Sequence, residues 1–150
     1  MQEMLPEHAD EFDDYFARAI ESTQYLKFDR PIVNDFLLKA MKEKNIKATV
    51  LSLRSNRQTA MDEVKQFSFY NLMDEFIFLK HHENSNPKSA YITQLKVNNE
   101  VIAFIGDNAY DKRAAEETQT DFYAVSTGMY PINDPIVYKD VNTALQQILK

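Results

Sequence analysis

Short apolar runs rich in β-branched and aromatic residues alternate with helical patterns along most of this 150-residue chain. The predicted strands lie at 48–53, 76–79, 101–105 and 122–126, and the segments between them repeat apolar residues every three or four positions. Such alternation is typical of parallel strands joined by right-handed helical crossovers. The sequence therefore predicts an α/β fold, a three-layer α/β/α sandwich with a mainly parallel sheet.

Helical patterns also fill the start and the end of the chain. A helix over about 7–23 is predicted in the acidic N-terminal segment, and a second helix is predicted to begin at Pro31. The predicted apolar faces are Phe12, Phe16 and Ile20; Val33, Phe36, Leu37, Ala40 and Met41; Met61, Val64 and Phe67; Tyr91, Ile92 and Leu95; Ala114 and Ala115; and Val141, Ala144, Leu145 and Ile148. We predict a single domain over 1–150, with an N-terminal helical segment at 1–24 and an α/β core at 25–150.

Composition excludes several classes of function. The balance of 17 basic and 23 acidic residues argues against a general nucleic-acid surface, although Arg54-Ser55-Asn56-Arg57 remains a candidate anion site. Cysteine is absent, which excludes disulfides and a thiolate nucleophile, and the adjacent His81 and His82 are predicted in a solvated loop. No apolar stretch is long enough to span a bilayer and the N-terminus is unlike a signal peptide, so we expect a cytoplasmic protein without a membrane partner.

The most informative motif is Gly106-Asp107-Asn108-Ala109-Tyr110-Asp111, directly after the predicted strand at 101–105, in a chain with only two glycines. Parallel sheets bind ligands beyond the carboxyl ends of their strands. Two carboxylates gathered there repel each other unless a cation or a proton intervenes, so Mg²⁺ is the natural partner. The alternative is an ordinary turn before an N-capped helix, with Asp111 in a solvated first turn.

Three separated segments resemble, in order and spacing, the haloacid-dehalogenase-like (HAD) phosphohydrolases. The strand Val50-Leu51-Ser52-Leu53-Arg54 resembles the family's strand ending in Ser or Thr, Lys88 resembles its lysine at a helix start, and Gly106 to Asp111 matches its GDxxxD turn. The likeness covers roughly residues 10–150 and implies a HAD-like Rossmannoid sheet. A finer likeness to the polynucleotide 3′-phosphatase branch rests on two segments, Phe12-Asp13-Asp14-Tyr15-Phe16 and Leu53-Arg54 with Arg57 and Thr59.

The resemblance implies roles for four residues. Ser52 and Lys88 would contact a phosphate group, Asp107 would hold Mg²⁺ directly, and Asp111 would bind or orient the metal. The substrate would be a phosphorylated small molecule or a nucleic-acid end. Each residue also has an ordinary interpretation, since Ser52 can be a polar residue at a strand end and most lysines lie on the surface.

The chain departs from the family at the nucleophile, because no two aspartates lie two positions apart. The family uses an Asp-x-Asp at the end of its central first strand, where one carboxylate attacks phosphorus and the other is the general acid and base. In one account this strand is absent, or a partner chain or homo-oligomer completes the sheet, and the domain is inactive alone. In the other, Tyr25-Leu26-Lys27-Phe28-Asp29 is a shortened first strand with Asp29 as nucleophile, which buries Lys27.

Three functions remain open from the sequence. The first is a phosphohydrolase whose acidic nucleophile comes from Asp29 or from another polypeptide. The second is a non-catalytic HAD-derived binding or regulatory domain that acts through protein contacts. The third is an unrelated α/β fold such as a receiver-like signalling domain, which the late position of Asp107 and Asp111 disfavours.

Overall fold

Helices and strands alternate through the part of the chain that the computed structural model describes, residues 31–150. The elements are α1 (Asp35–Glu43), β1 (Thr49–Leu53), α2 (Arg57–Val64), a 3-10 helix (Ser68–Leu72), β2 (Glu75–Leu79), α3 (Pro87–Lys96), β3 (Phe104–Gly106), α4 (Ala109–Glu117), β4 (Phe122–Val125), β5 (Val137–Tyr138) and α5 (Val141–Ile148). The predicted helix over 7–23 and the alternative first strand at 25–29 lie outside the described residues, as does His8.

The strands form two groups. Strand β1 pairs in parallel with β2, from Thr49 opposite Glu75 to Leu53 opposite Leu79. Strand β4 pairs in parallel with both β3 and β5, with Ala124 opposite Gly106 and Val137. Within residues 31–150 no strand joins the two groups. The strands are thus all parallel, as predicted, and the chain is an α/β sandwich, but its sheet is divided between β1 and β3.

Helices pack in pairs around this divided sheet. Helix α3 packs on α4, which contacts β3 and β4, while α1 packs on α5, which contacts β4 and β5. The buried core on the α1 and α5 side consists of Leu38, Met41, Ala48 and Leu145. Alanine lets α4 lie close to the strands, because Ala114 and Ala115 are completely buried. No helix of the described part is long and apolar enough to cross a membrane.

Each α-helix begins at a side-chain cap that the sequence encodes locally. A side-chain oxygen of the residue before the helix accepts a hydrogen bond from a backbone N–H in the first turn, which satisfies a donor that has no partner within the helix. The capping residues are Asn34, Asn56, Asn86, Asn108 and Asp140. Four of these caps start helices directly after loops that leave the carboxyl side of a strand: Asn56, Asn86, Asn108 and Asp140.

Four local predictions were wrong. Helix α1 begins at Asp35 and not at Pro31, since Asn34 is its cap. Phe36 is 74% exposed, and Leu38 takes its place in the core. The strand predicted at 101–105 begins only at Phe104, where pairing with β4 starts, and Ile102 is 42% exposed. Phe67 follows the end of α2 and precedes a 3-10 helix that was not predicted.

Candidate functional site

A cavity of about 700 Å³ separates the two groups of strands. Its sides are β1 and residues 102–106, and helices α1 and α5 contribute Leu38, Met41, Leu145 and Ile148. Its lining includes residues at the carboxyl ends of β1 and β3. All four residues predicted to form the site line it: Ser52, Lys88, Asp107 and Asp111.

Lys88 is a buried residue of this site and not a surface lysine, since it is 7% exposed. Its Nζ lies 2.5 Å from Oδ1 of Asp111 and 6.0 Å from the centre of the Phe104 ring. The Asn86 side chain holds the start of α3 in place through two hydrogen bonds. Its Oδ1 accepts the Lys88 N–H at 3.1 Å, and its Nδ2 donates to the Tyr110 carbonyl oxygen at 3.2 Å. The α3 start is therefore tied directly to the acidic turn.

The two carboxylates of the turn have different surroundings. Asp111 is 5% exposed, so the solvated first turn is ruled out, and its Oδ2 accepts the Asp107 N–H at 3.4 Å. Asp107 is half-buried, and its Oδ1 accepts a hydrogen bond from Asn108 Nδ2 at 2.9 Å. Asp111 thus neutralises Lys88 and orients the turn, while Asp107 is the more accessible of the two acids.

Both glycines of the chain pack against these two acids. A Cβ at Gly106 would lie 2.4 Å from the Asp111 Cβ, and a Cβ at Gly128 would lie 2.6 Å from the Asp107 carbonyl oxygen. Neither contact allows a side chain, because both involve atoms held by the backbone. Gly128 follows the strand predicted at 122–126, and the sequence pattern did not link it to the site. The scarcity of glycine in the chain was the signal that could have done so.

Two residues that carry a hydroxyl group also line the cavity. Ser52 lines it from β1. Tyr110, which the sequence did not single out, lines it from α4. The Tyr110 hydroxyl itself is buried from water and has no hydrogen-bond partner within residues 31–150. Burial, assisted by the negative charge of Glu117, raises the pKa of this hydroxyl, so it stays protonated at neutral pH.

The remaining sequence candidates lie apart from this cavity. Arg54 forms an ion pair with Glu63 of α2 at 3.4 Å, so its guanidinium is engaged within the protein. His81 and His82 lie in an exposed loop, as predicted, and the His82 ring is 3.1 Å from the Ser85 hydroxyl.

The acidic pair fits the coordination habits of Mg²⁺. This ion is commonly held by one or two carboxylates, with water and phosphate oxygens completing its octahedron. Asp107 and Asp111 supply two carboxylates, and no group of three or more acidic, histidine or cysteine residues forms a metal cluster in the described part of the chain. With two carboxylates from the protein, Mg²⁺ would take its other ligands from water or phosphate oxygens.

The chain is similar to known proteins in sequence and in fold. A family model described as haloacid dehalogenase-like hydrolase matches residues 8–125. No curated protein matches the sequence significantly. Among solved structures, protein tyrosine kinase A of Mycobacterium tuberculosis superposes with a TM-score of 0.71 at 18% identity, over 97% of this chain and 72% of that one.

Two further structures share the fold. A protein assigned as a phosphoglycolate phosphatase from Lactobacillus delbrueckii subsp. bulgaricus has a TM-score of 0.62 at 16% identity, over 98% of this chain and 65% of that one. A HAD-superfamily hydrolase from Ehrlichia chaffeensis has a TM-score of 0.57 at 21% identity, over 97% of this chain and 72% of that one. The names of the three neighbours differ in activity, so the common fold does not determine the reaction.

Proposed function

This chain belongs to the haloacid dehalogenase-like hydrolase family, and we propose that it is a phosphatase-type domain that binds a phosphate monoester together with Mg²⁺. The observation that carries the proposal is the convergence of Ser52, Lys88, Asp107 and Asp111 on one cavity. These residues come from three separate stretches of the chain, and a hydroxyl, an ammonium and two carboxylates in one crevice suit a phosphoryl group with a divalent metal.

Each side chain has a distinct task in this proposal. The Ser52 hydroxyl donates a hydrogen bond to a phosphate oxygen, and the Lys88 ammonium offsets the negative charge of the phosphate. Asp107 and Asp111 would hold Mg²⁺, which when bound polarises the phosphoryl oxygens. The Asp111 carboxylate also keeps Lys88 at the cavity wall, because the two groups are already 2.5 Å apart.

None of these four residues is suited to be the nucleophile. The ammonium is paired, both carboxylates belong to the turn that would hold the metal, and Ser52 has no neighbouring base among the hydrogen bonds of the described residues. We infer that the chain alone binds phosphate and Mg²⁺ but turns over phosphate esters only when a carboxylate enters the cavity. A role as a non-catalytic binding or regulatory domain is the second candidate, favoured by the same lack of a nucleophile.

Calorimetric titration with Mg²⁺ in the presence of inorganic phosphate tests the binding site. Asp107→Asn should weaken Mg²⁺ binding at least about tenfold, since it removes one of two anionic ligands. The matched control is Asp121→Asn, an exposed aspartate before the amino end of β4, on the opposite edge of the sheet. Equal affinity in all three proteins, or no binding by the unmodified chain, would refute the proposal.

Hydrolysis of p-nitrophenyl phosphate separates the two candidate functions. We expect binding without turnover by the chain alone. Turnover that disappears in Asp107→Asn but persists in Asp121→Asn would show that the chain contains its own nucleophile, and Asp29→Asn would then identify or exclude Asp29.

A further inference from the structure

We propose that the loop at 127–136 recognises the organic part of the substrate, and that this part is an uncharged apolar group such as an aromatic ring. The substrate class is then a phosphate monoester of an aromatic or apolar alcohol. The residues assigned to its recognition are Met129 and Tyr130. This inference rests on the proposed function, because it takes the phosphate group of the ester to bind beside Asp107 and Lys88.

The loop approaches the candidate site at Gly128. A Cβ at this position would lie 2.6 Å from the Asp107 carbonyl oxygen and 3.1 Å from the Asp107 Cβ and Cγ. Asp107 lines the cavity between β1 and β3, which forms a cleft between the two groups of strands. Met129 and Tyr130 are the next two residues, and their Cα atoms lie within about 8 Å of the Gly128 Cα, because consecutive Cα atoms are about 3.8 Å apart. Both residues are therefore within reach of an ester whose phosphate binds beside Asp107.

Exposed apolar side chains are concentrated on this loop and at its end. Of the eight large apolar residues that are exposed within residues 31–150, four lie at 129–137. Met129, Tyr130 and Ile136 are 72%, 70% and 62% exposed. A group of apolar side chains left in water beside a polar cavity is typical of a binding surface, whereas scattered ones are ordinary.

The loop is also poor in charge. Residues 126–133, Ser-Thr-Gly-Met-Tyr-Pro-Ile-Asn, include no acidic or basic side chain, although 27% of the residues of the chain are charged. The one acid of the loop, Asp134, is paired with Lys112 of α4 at 3.2 Å. A carboxylate on the organic part of a substrate would meet no cation among residues 127–136. The loop therefore favours an uncharged organic group over one that carries a carboxylate.

Hydrogen bonds at both ends hold the loop in place. Lys112 Nζ donates to the Asn133 carbonyl oxygen at 2.6 Å, and the Ser126 hydroxyl donates to the Lys139 carbonyl oxygen at 3.1 Å. Lys112 follows Asp111 in α4, so the loop is fastened to the helix that contributes an acid to the site. A surface held in this way loses less conformational entropy when a ligand binds.

Calorimetric titration of the full chain with phosphate compounds, all in the presence of Mg²⁺, tests the proposal. The ligands are inorganic phosphate, methyl phosphate, 1-naphthyl phosphate and 2-phosphoglycolate. We expect 1-naphthyl phosphate to bind at least about tenfold more tightly than methyl phosphate, because the loop covers its ring. 2-Phosphoglycolate should bind no more tightly than methyl phosphate, since its organic part carries a carboxylate.

Variants of the loop identify the residues responsible for this preference. Met129→Ser combined with Tyr130→Ser should reduce the preference for the naphthyl ester over the methyl ester to about twofold or less. Tyr130→Phe keeps the ring and should keep the preference. Val97→Ser is the matched control and should also keep it, since Val97 is 75% exposed and lies at the opposite end of α3 from Lys88. If the double variant does not fold, Tyr130→Ser compared with Tyr130→Phe decides the question.

The results separate this inference from the proposed function. If inorganic phosphate does not bind, the proposed function fails and this inference fails with it. If inorganic phosphate binds but the naphthyl and methyl esters bind equally, only this inference is overturned. A preference that persists in the double variant would place the ring against the apolar wall of the cleft and would also overturn it. Self-association that the double variant abolishes, without any preference for the naphthyl ester, would mean that the loop binds a second copy of the chain instead.

Discussion

The two groups of strands on either side of the cleft differ in how well they are buried. In the β3–β4–β5 group, Ala124 is completely buried and Val125 is 4% exposed. In the β1–β2 group no residue is fully buried, although apolar residues form the majority of both Thr49–Leu53 and Glu75–Leu79. The difference teaches that an apolar strand is buried by its neighbours and not by its own composition, because β4 has a strand on both sides and β1 has a cleft on one.

Two ion pairs near the carboxyl ends of the strands also differ in how well they are buried. The Lys88 and Asp111 side chains are 9% and 7% exposed, whereas Arg54 and Glu63, on the other side of the cleft, are 24% and 7% exposed. A pair removed from water on both sides depends strongly on each partner, while a partly hydrated pair does not.

The largest expected effect is on the buried pair. Lys88→Met should lower the free energy of unfolding by about 3–5 kcal/mol, because it leaves the Asp111 carboxylate buried without its cation. Arg54→Met, the matched change on the open side, should cost less, because Arg54 is 24% exposed and its 3.4 Å contact with Glu63 is longer than the 2.5 Å contact between Lys88 and Asp111. Urea denaturation at neutral pH measures both.

The double variant Lys88→Met with Asp111→Leu is the control for this comparison. It should recover much of the stability that Lys88→Met loses, because no unpaired charge remains. If the double variant is as unstable as the single one, packing and not charge explains the loss. Equal costs for Lys88→Met and Arg54→Met would contradict the contrast between the two sides.

A methyl group added at the end of a strand should have the next largest effect. Gly106→Ala should destabilise the protein by about 3 kcal/mol, because its Cβ would overlap the Asp111 Cβ. Ser52→Thr adds a methyl group near the corresponding end of β1, beside the cavity, and should cost less than about 1 kcal/mol. Urea denaturation of the two variants measures this difference, provided that their unfolding free energies depend on urea with the same slope. Similar midpoints for the two variants would show that both strand ends are equally crowded.

The smallest expected effect is a difference in acid sensitivity between two helices, because one has a cap that titrates and the other does not. Hydrogen bonds from Thr143 lower the pKa of Asp140, the cap of α5, from its ordinary value of 3.8, whereas Asn56, the cap of α2, carries no charge. A lowered folded-state pKa gives stability that is complete above the ordinary value and is lost as pH falls through the folded value. As pH falls below the ordinary value of 3.8, the protection of amides against exchange, corrected for the intrinsic rate, should therefore decrease more in α5 than in α2.

Asp140→Asn provides the matched comparison for this last prediction. It keeps a capping oxygen without the titration, so the melting temperature of the variant should fall less steeply with acid than that of the unmodified chain. Parallel curves for the two proteins would show that Asp140 does not contribute to the acid sensitivity.

Local patterns predicted most elements but not their exact burial. The strands at β1, β2 and β4 and the helices α3, α4 and α5 were predicted from periodicity and turn residues close to their observed positions. Phe36 was assigned to the wrong face because the start of α1 depends on the Asn34 cap, and the start of β3 was placed too early because it depends on where β4 begins to pair. The position of a helix start and the extent of a ladder are not properties of the apolar run itself.

The candidate site divides in the same way. Asp107 and Asp111 were selected because Gly-Asp after a strand is a local signal, whereas Lys88 and Ser52 were selected through the resemblance to the HAD phosphohydrolases. Tyr110 and Gly128 were not, since their importance arises from a buried hydroxyl and from a close approach of two distant loops.

The sequence by itself determined the alternation of helices and strands, their polar caps and the acidic turn, since each depends on residues within a few positions of one another. Only the tertiary structure decided that a cavity separates β1 from β3 within residues 31–150, that Lys88 is buried against Asp111, and that Ser52, Lys88, Asp107 and Asp111 line one cavity. These features depend on contacts between residues distant in sequence, because burial and charge pairing are set by what lies next to a group in space.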